Sequence, residues 1–184
     1  MHRSLKHAFF ILLILTSSRV FALGGDFTLT SHENKPYSLA DSRGHVVVIS
    51  FGYTFCPDIC PTALATISSA LNRMGKAAEQ VDPLFISVDP DRDTPETLSK
   101  YTPYFHPRLI GLTGDADTIA EIAKRYYVRY QFVGKGERDN YTVDHTASLY
   151  VIDKRGKLMA VLPHGLPPQA LADSLMNALS LPAQ

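Results

Sequence analysis

The chain has 184 residues, of which 45% are hydrophobic, 20% charged and 10% aromatic, a composition typical of globular proteins. Eighteen basic residues balance eighteen acidic ones, which argues against nucleic acid and anionic lipid as partners because no net charge would attract them. A domain of about 150 residues buries enough surface for a stable core. The two cysteines are therefore not needed as structural cross-links.

The first 22 residues differ from the rest of the chain. They contain three basic residues and no acidic ones, an apolar run from Ala8 to Leu15, and the sequence Val20-Phe21-Ala22, which suits a cleavage site. This run is shorter than the roughly 20 apolar residues that span a bilayer. We predict a signal peptide over residues 1–22, cleaved after Ala22, with an uncleaved membrane anchor as the alternative. Export would place residues 23–184 in a space such as the periplasm, where disulfides form.

The first half of the exported chain predicts strands followed by helices. Short apolar segments on either side of residues 31–36 predict an N-terminal hairpin. The run Val46 to Gly52 is β-branched and apolar at successive positions, as in a strand buried on both faces, and residues 84–88 predict a second such strand. Between them, a segment from Pro61 to Gly75 has its apolar residues at helical spacing.

The second half of the chain continues this alternation. The predicted elements are a helix capped by Asp93 or Thr94, a strand at 108–112, a helix at 118–128, a loop or hairpin at 132–142, a hairpin at 148–161 and a helix at 167–179. No repeat or linker interrupts the exported chain, which predicts one continuous domain. The expected fold class is α/β, a thioredoxin-like or peroxiredoxin-like sandwich with a mixed central sheet, an N-terminal hairpin, and a hairpin plus helix at the C-terminus.

Cys56 and Cys60 lie between the end of a predicted buried strand and the start of a predicted helix. Open α/β sheets place their ligands at this carboxyl edge. Helical N–H dipoles favour a thiolate there, so we predict a lowered pKa for Cys60. Residues four apart share one helical turn, so the pair can close a small disulfide or bind one metal ion together. A purely structural disulfide is the weaker interpretation because so short a loop contributes only about 2 kcal/mol.

Two thiolates alone do not identify a metal, and a second Cys/His pair at zinc-ribbon spacing is absent from the sequence. Soft thiolates select Cu(I), whereas Cu(II) also prefers imidazole nitrogen, so a third ligand is sought among the histidines. Four of them fall in predicted turns or loops: His32, His45, His106 and His164. His145 differs because it leads into the strand predicted at 148–152, which should neighbour the strand before Cys56. Taken alone, a histidine in this position is more often structural than a ligand.

Residues 52–61, 87–95 and 143–146 resemble the motifs of the Sco/SenC family, copper proteins of cytochrome c oxidase assembly. The resemblance covers nearly the whole chain after Gly25, with the motifs in order, and the two-cysteine motif with its flanking prolines is highly specific. It implies a thioredoxin-like fold that binds one copper ion, Cu(I) or Cu(II). The ligands it implies are Cys56, Cys60 and His145.

The resemblance also implies a metallochaperone that helps to build the dinuclear copper centre of cytochrome c oxidase subunit II, by copper delivery, by reduction of that subunit's cysteines, or both. A second periplasmic copper chaperone is a further expected partner. The alternative is a thiol-disulfide oxidoreductase or redox-signalling protein that uses Cys56 and Cys60 as a redox pair on exported partners. Thioredoxin-type oxidoreductases generally have two residues between their cysteines, so the three found here favour metal binding. Family members are usually membrane-tethered, whereas this N-terminus looks cleavable.

Two acidic residues are candidates for supporting the site. Asp89 directly follows a predicted buried strand, and a carboxylate near the site is one interpretation of it. A position in a turn or helix cap is the stronger interpretation. Asp144 precedes His145 and could orient its ring, although a surface position is equally consistent with the sequence.

Overall fold

The computed structural model describes residues 23–136 and 141–183. The predicted signal peptide, and with it the alternative of an anchor, lies outside these residues. Among the helices of the described part, none combines the length and the apolar character that a membrane span requires.

A mixed seven-stranded sheet lies at the centre of the fold. The strands, in chain order, are β1 (Thr28–Ser31), β2 (Pro36–Ser38), β3 (Val46–Gly52), β4 (Val81–Ser87), β5 (Ile110–Thr113), β6 (Tyr130–Val133), β7 (Thr142–His145), β8 (Leu149–Ile152) and β9 (Leu158–Leu162). The central sheet has the order β2-β1-β5-β4-β3-β8-β9. Its three middle strands β3, β4 and β5 are parallel, and the flanking strands pair antiparallel to their neighbours.

Helices cover both faces of this sheet. They are α1 (Ile59–Met74), α2 (Pro95–Phe105), α3 (Ala116–Arg125) and α4 (Pro168–Ser180). Leu64 of α1, Leu98 of α2 and Leu175 of α4 belong to one buried cluster, whereas Ile122 of α3 belongs to a second cluster on the opposite face. This arrangement confirms the predicted thioredoxin-like sandwich with its mixed central sheet.

Strand β3 positions the two cysteines. All seven of its residues are buried, as its apolar sequence predicts, and it lies between β4 and β8. Phe51 pairs with Ile86 of the parallel strand β4, so the carboxyl ends of both strands lie at one edge of the sheet. The antiparallel strand β8 begins at that edge, where Leu149 pairs with Ser50. The chain segments before β8 and after β3 and β4 therefore meet there.

Strands β6 and β7 form a separate two-stranded hairpin, as predicted for this region. Tyr130 pairs with His145, the last residue of β7. Val143 is buried in the same cluster as α3, so the hairpin packs on that face of the central sheet. The hairpin thereby brings His145 to the edge where β3 ends.

The start of α1 differs from the sequence-based expectation, whereas the start of α2 agrees with one of its two alternatives. Helix α1 begins at Ile59, before Pro61, which places Cys60 in its first turn. Thr94 caps α2, since its hydroxyl accepts a hydrogen bond from the backbone N–H of Thr97. Asp93, the other candidate for this cap, is buried elsewhere.

Candidate metal centre

Cys56, Cys60 and His145 converge at the carboxyl edge of the sheet. One ligand atom from each of the three side chains lies within 4.8 Å of the others. The Sγ of Cys60 is 3.2 Å from Nε2 of His145, although the two residues are 85 positions apart in the sequence. No other cluster of three such side chains occurs in residues 23–136 and 141–183.

Cys60 is the inner thiol and is only 1% exposed. Its backbone N–H donates to Sγ of Cys56 at 3.3 Å, which holds the two residues in one turn. Gly52, the last residue of β3, leaves room for this thiol. A Cβ at Gly52 would lie 2.7 Å from Sγ of Cys60 and 2.9 Å from the ring of Phe85, distances that packed side chains do not tolerate. Glycine at this position therefore allows Cys60 to reach the site.

The predicted lowering of the Cys60 pKa is wrong. Burial raises the pKa of this thiol, and the neighbouring Cys56 raises it further. The first turn of α1 does supply N–H dipoles, but removing a thiolate from water costs more than those dipoles return. Cys60 is therefore protonated at neutral pH and loses its proton when it binds a metal ion or forms a disulfide.

His145 presents an unprotonated nitrogen to the thiols. Its Nδ1 lies 3.0 Å from the carbonyl oxygen of Thr146, and since a carbonyl can only accept, Nδ1 carries the proton and donates it. In the neutral ring Nε2 then has a free lone pair, which faces Sγ of Cys60. Burial lowers the pKa of His145, so the ring is neutral at physiological pH. The ring also packs edge-to-face on Tyr53, with centroids 5.9 Å apart.

The two acidic candidates lie in different environments. Asp144 is exposed, and the carbonyl of Thr146 is the partner of Nδ1 of His145. Asp89 is fully buried, where it pairs with Arg92 and accepts a hydrogen bond from the hydroxyl of Tyr141 at 2.7 Å. Asp89 is thus not part of the cluster of Cys56, Cys60 and His145. It contacts the chain segment that leads into β7.

Asp93 supports the cysteine loop, a position that the sequence interpretation missed. Its carboxylate accepts hydrogen bonds from the backbone N–H and the hydroxyl of Thr54, at 3.0 and 2.5 Å, and from the hydroxyl of Ser87 at 2.6 Å. Burial raises the pKa of Asp93, while these three donors oppose the rise. The bonds join the ends of β3 and β4 and fix the chain two residues before Cys56. The sequence offers one signal, an acidic residue in the loop after a buried strand, but it does not indicate the hydrogen-bond partners of that residue.

The remaining described histidines are engaged elsewhere or exposed. Nδ1 of His32 accepts from the backbone N–H of Gly111, His45 contacts Asp82, and Nδ1 of His106 accepts from the backbone N–H of Arg108. His164 is exposed in the loop after β9. Among the described histidines, only His145 joins the two thiols in one cluster.

The site opens to solvent on the side of Cys56. Cys56 is half-buried, and the neighbouring Phe55 and Ile59 are 61% and 38% exposed. The donor set consists of two sulfurs and one neutral imidazole, with a buried inner ligand and an accessible outer one. Two soft sulfurs and one nitrogen suit Cu(I), Cu(II) and other thiophilic metals better than they suit Mg²⁺ or Ca²⁺, which prefer oxygen.

Comparison with known proteins identifies relatives across most of the chain. The SCO1/SenC family model matches residues 16–180. A SCO2-like protein of Rickettsia prowazekii is 40% identical over 138 residues, which are 74% of this chain and 67% of that protein. The mitochondrial SCO2 homolog of Bos taurus is 37% identical over 158 residues, 85% of this chain. The match spans 59% of the bovine protein's length.

A solved structure is also similar throughout. It is the copper-bound structure of ScoI from Bradyrhizobium japonicum, which is 41% identical in sequence and superposes with a TM-score of 0.79. The superposition covers 86% of this chain and all of that one.

Proposed function

The chain belongs to the SCO1/SenC family, and on that premise we propose that it binds one copper ion through Cys56, Cys60 and His145. We further propose that it acts as a metallochaperone in the assembly of the dinuclear copper centre of cytochrome c oxidase subunit II. The observation that carries the proposal is the convergence of the three donor atoms within 4.8 Å. Copper in the similar ScoI structure supports the choice of metal.

Each side chain has a distinct part in copper binding. Cys60 must give up its proton, because a metal ligand has to be a thiolate and burial keeps the free thiol protonated. His145 needs no such change, since its Nε2 is already unprotonated and Thr146 holds the ring in that tautomer. Cys56 is the more exposed of the two thiols and the one that a partner can reach.

Delivery of copper follows from this order of exposure. A thiolate of the partner protein can approach beside Cys56 and replace it by ligand exchange, after which Cys60 and His145 release the ion in turn. The exposed apolar side chains of Phe55 and Ile59 flank the approach, so they would lie in the contact with subunit II or with another copper chaperone.

Anaerobic titration of the reduced mature protein with Cu(I) and with Cu(II) tests the proposal. We expect one copper per chain in each case, with a thiolate-to-copper absorption band for Cu(II). The same titration after oxidation of Cys56 and Cys60 to a disulfide is the control, because both sulfurs are then consumed and copper uptake should be abolished. Equal binding by the oxidised and reduced proteins would contradict the proposed site.

A thiol-disulfide oxidoreductase is the second candidate function, favoured by two free thiols of which the outer one is accessible. Cys56 would attack the disulfide of a partner, forming a mixed disulfide and releasing one partner thiol. Cys60 would then attack Sγ of Cys56, closing the Cys56–Cys60 disulfide and releasing the second partner thiol, so that two electrons pass to the partner. Reduction of a subunit II disulfide to its two thiols by the copper-free protein, in stoichiometric amounts, would support this function beside metal delivery.

We propose an exported location, the periplasm, for the mature chain. The support is the sequence of residues 1–22 and the need of a copper site for a space outside the cytosolic thiol pool. Mass spectrometry of the protein recovered from cells tests it. A chain beginning at Leu23 in the soluble periplasmic fraction is expected, whereas an intact N-terminus recovered from membranes would establish the anchored alternative.

A further inference from the structure

Arg92 lies between the two segments that supply the proposed ligands, the cysteine loop and the start of β7. Its side chain is 15% exposed and its Nε donates to the buried carboxylate of Asp89. Its Nη1 donates to the backbone carbonyl of Tyr141 at 2.9 Å. Tyr141 directly precedes β7, so this bond joins the loop after β4 to the strand that carries His145.

The guanidinium group also contacts three aromatic rings. It lies 3.6 Å from the ring centroid of Tyr141, 4.9 Å from that of Phe55 and 5.5 Å from that of Tyr53. Cations over aromatic faces at these distances are attracted by the ring quadrupole, the more so when water is excluded. Phe55 precedes Cys56, and Tyr53 packs on the ring of His145. Arg92 therefore touches neighbours of both the thiol ligand and the imidazole ligand.

The hydrogen bonds around Arg92 suit the planar guanidinium group of arginine. Asp89 accepts from Arg92 and from the hydroxyl of Tyr141, so carboxylate, guanidinium and phenol form a closed set of contacts. The Nη2 atom of Arg92 is buried and has no hydrogen-bond partner within the described residues. The guanidinium group to which it belongs lies instead near three aromatic rings. Lysine would keep the charge but lose the flat stacking surface and the second directed bond.

We propose that Arg92 is a positioning residue that holds the β6–β7 hairpin against the cysteine loop and so keeps Nε2 of His145 at the thiols. The inference rests on the proposed copper site and extends it to a residue that touches no metal ligand directly. The proposal predicts different losses of affinity for the two oxidation states of copper. Loosening the hairpin should weaken the binding state that needs nitrogen, Cu(II), more than the state that two thiolates can hold, Cu(I).

Arg92→Lys tests the inference, with Arg155→Lys as the matched control. Arg155 also binds a buried carboxylate, that of Asp153, through Nε and Nη2, but in the turn between β8 and β9 at the opposite end of the sheet. We expect Arg92→Lys to lower Cu(II) affinity by about 10- to 100-fold, the usual cost of removing a support of a metal ligand, with a clearly smaller loss for Cu(I). Arg155→Lys should change both affinities by less than about threefold.

A measurement on the copper-free protein separates this inference from the proposed function. Nuclear Overhauser effects between the rings of Tyr53 and His145 report the seating of the hairpin without any metal. They should weaken in Arg92→Lys and persist in Arg155→Lys. If the wild-type protein failed to bind copper, the proposed function would fail while the ring contacts still decided the role of Arg92.

Tyr141→Leu provides a second variant that leaves the Arg92–Asp89 pair in place. It removes the stacking face and one hydrogen bond, and should show the same preferential loss of Cu(II) binding and the same weakened contacts between the rings of Tyr53 and His145. This variant decides the question if Arg92→Lys does not fold. Equal losses for Cu(I) and Cu(II) in the folded variants, or unchanged ring contacts, would overturn the inference.

Discussion

The two parts of the metal centre are held in different ways. The cysteines follow β3, the most deeply embedded strand, and Cys60 lies in the first turn of α1, so backbone pairing and helix geometry fix the thiols. His145 lies at the end of a two-stranded hairpin outside the central sheet. Its ring packs on Tyr53 and bonds to the carbonyl of Thr146, and Arg92 contacts the ring and the backbone carbonyl of Tyr141, where the hairpin strand begins. We therefore call the thiol pair, which follows the central sheet, the rigid part of the site and the imidazole, which lies on the hairpin, the adjustable part.

The two parts of the site also differ in the protonation change that copper binding requires. Burial raises the pKa of Cys60 and lowers the pKa of His145, so both groups are neutral before copper binds. Cys60 must lose its proton when copper binds, whereas the neutral form of His145 is already the form that binds copper. The rigid part thus carries the proton that copper displaces, and the adjustable part carries a ready lone pair.

Removal of a thiol should have the largest effect. We expect Cys56→Ser to lower the affinity for both Cu(I) and Cu(II) by more than the roughly 100-fold that loss of an outer support costs, because a hydroxyl is a poor ligand for soft copper. Competition against a calibrated copper chelator measures both affinities. Retention of tight Cu(I) binding by Cys56→Ser would show that Cys56 is not a copper ligand and would contradict the proposed thiol pair.

Removal of the imidazole should separate the two oxidation states. His145→Ala should lose most Cu(II) affinity and the thiolate-to-copper absorption band, while Cu(I) binding weakens less. His45→Ala is the control, since His45 precedes β3 at the opposite end of the strand from the cysteines. An unchanged Cu(II) spectrum in His145→Ala would exclude the adjustable part from the site.

Asp93→Asn should loosen the rigid part without touching the hairpin. An asparagine side chain has one acceptor oxygen where the carboxylate accepts three hydrogen bonds, so we expect a loss of about 1–3 kcal/mol in the free energy of unfolding. Affinity for Cu(I) and Cu(II) should fall together. Asp153→Asn, which disturbs a buried carboxylate in the β8–β9 turn, should destabilise the fold and spare copper binding. A purely Cu(II)-selective defect in Asp93→Asn would refute the division.

The stability of the reduced copper-free protein should fall at alkaline pH. Above the ordinary thiol pKa of 9.0, the unfolded chain loses a proton that folded Cys60 retains, so the free energy of unfolding decreases with a slope that approaches about 1.4 kcal/mol per pH unit. His145 instead lowers the free energy of unfolding at acidic pH. Its folded pKa is lowered from 6.5, so its contribution is present above that pH and is lost on acidification.

Chemical denaturation between about pH 9 and 10 measures the alkaline loss attributable to Cys60. Cys60→Ala is the comparison, because buried tyrosines contribute equally to both proteins. The wild-type protein should show the steeper decrease. Parallel pH profiles for the two proteins would mean that the buried thiol does not retain its proton in the folded chain.

The elements of the fold could be predicted because local patterns determine them. The uninterrupted apolar run of β3 specifies burial on both faces, and Thr94 occupies the cap position that its short hydroxyl side chain favours. The motif resemblance brought Cys56, Cys60 and His145 together as expected ligands, and the topology places them at one edge.

The supports of the site could not be predicted because they depend on distant partners. Asp93 binds Thr54 across 39 positions and Arg92 binds Tyr141 across 49. In the sequence, Asp89 and Asp93 look alike, and only the packed structure assigns one to the hairpin and the other to the cysteine loop. The prediction that the Cys60 pKa is lowered failed for a related reason. The sequence indicates where the helix starts, but it does not indicate how deeply the thiol is buried.

X-ray absorption at the copper edge of the protein loaded with one equivalent of Cu(II) tests the central claim most directly. The proposed site predicts two sulfur neighbours and one imidazole nitrogen, with the nitrogen signal lost in His145→Ala and retained in His45→Ala. A spectrum with fewer than two sulfurs, or an imidazole signal that persists in His145→Ala, would contradict a centre built from Cys56, Cys60 and His145.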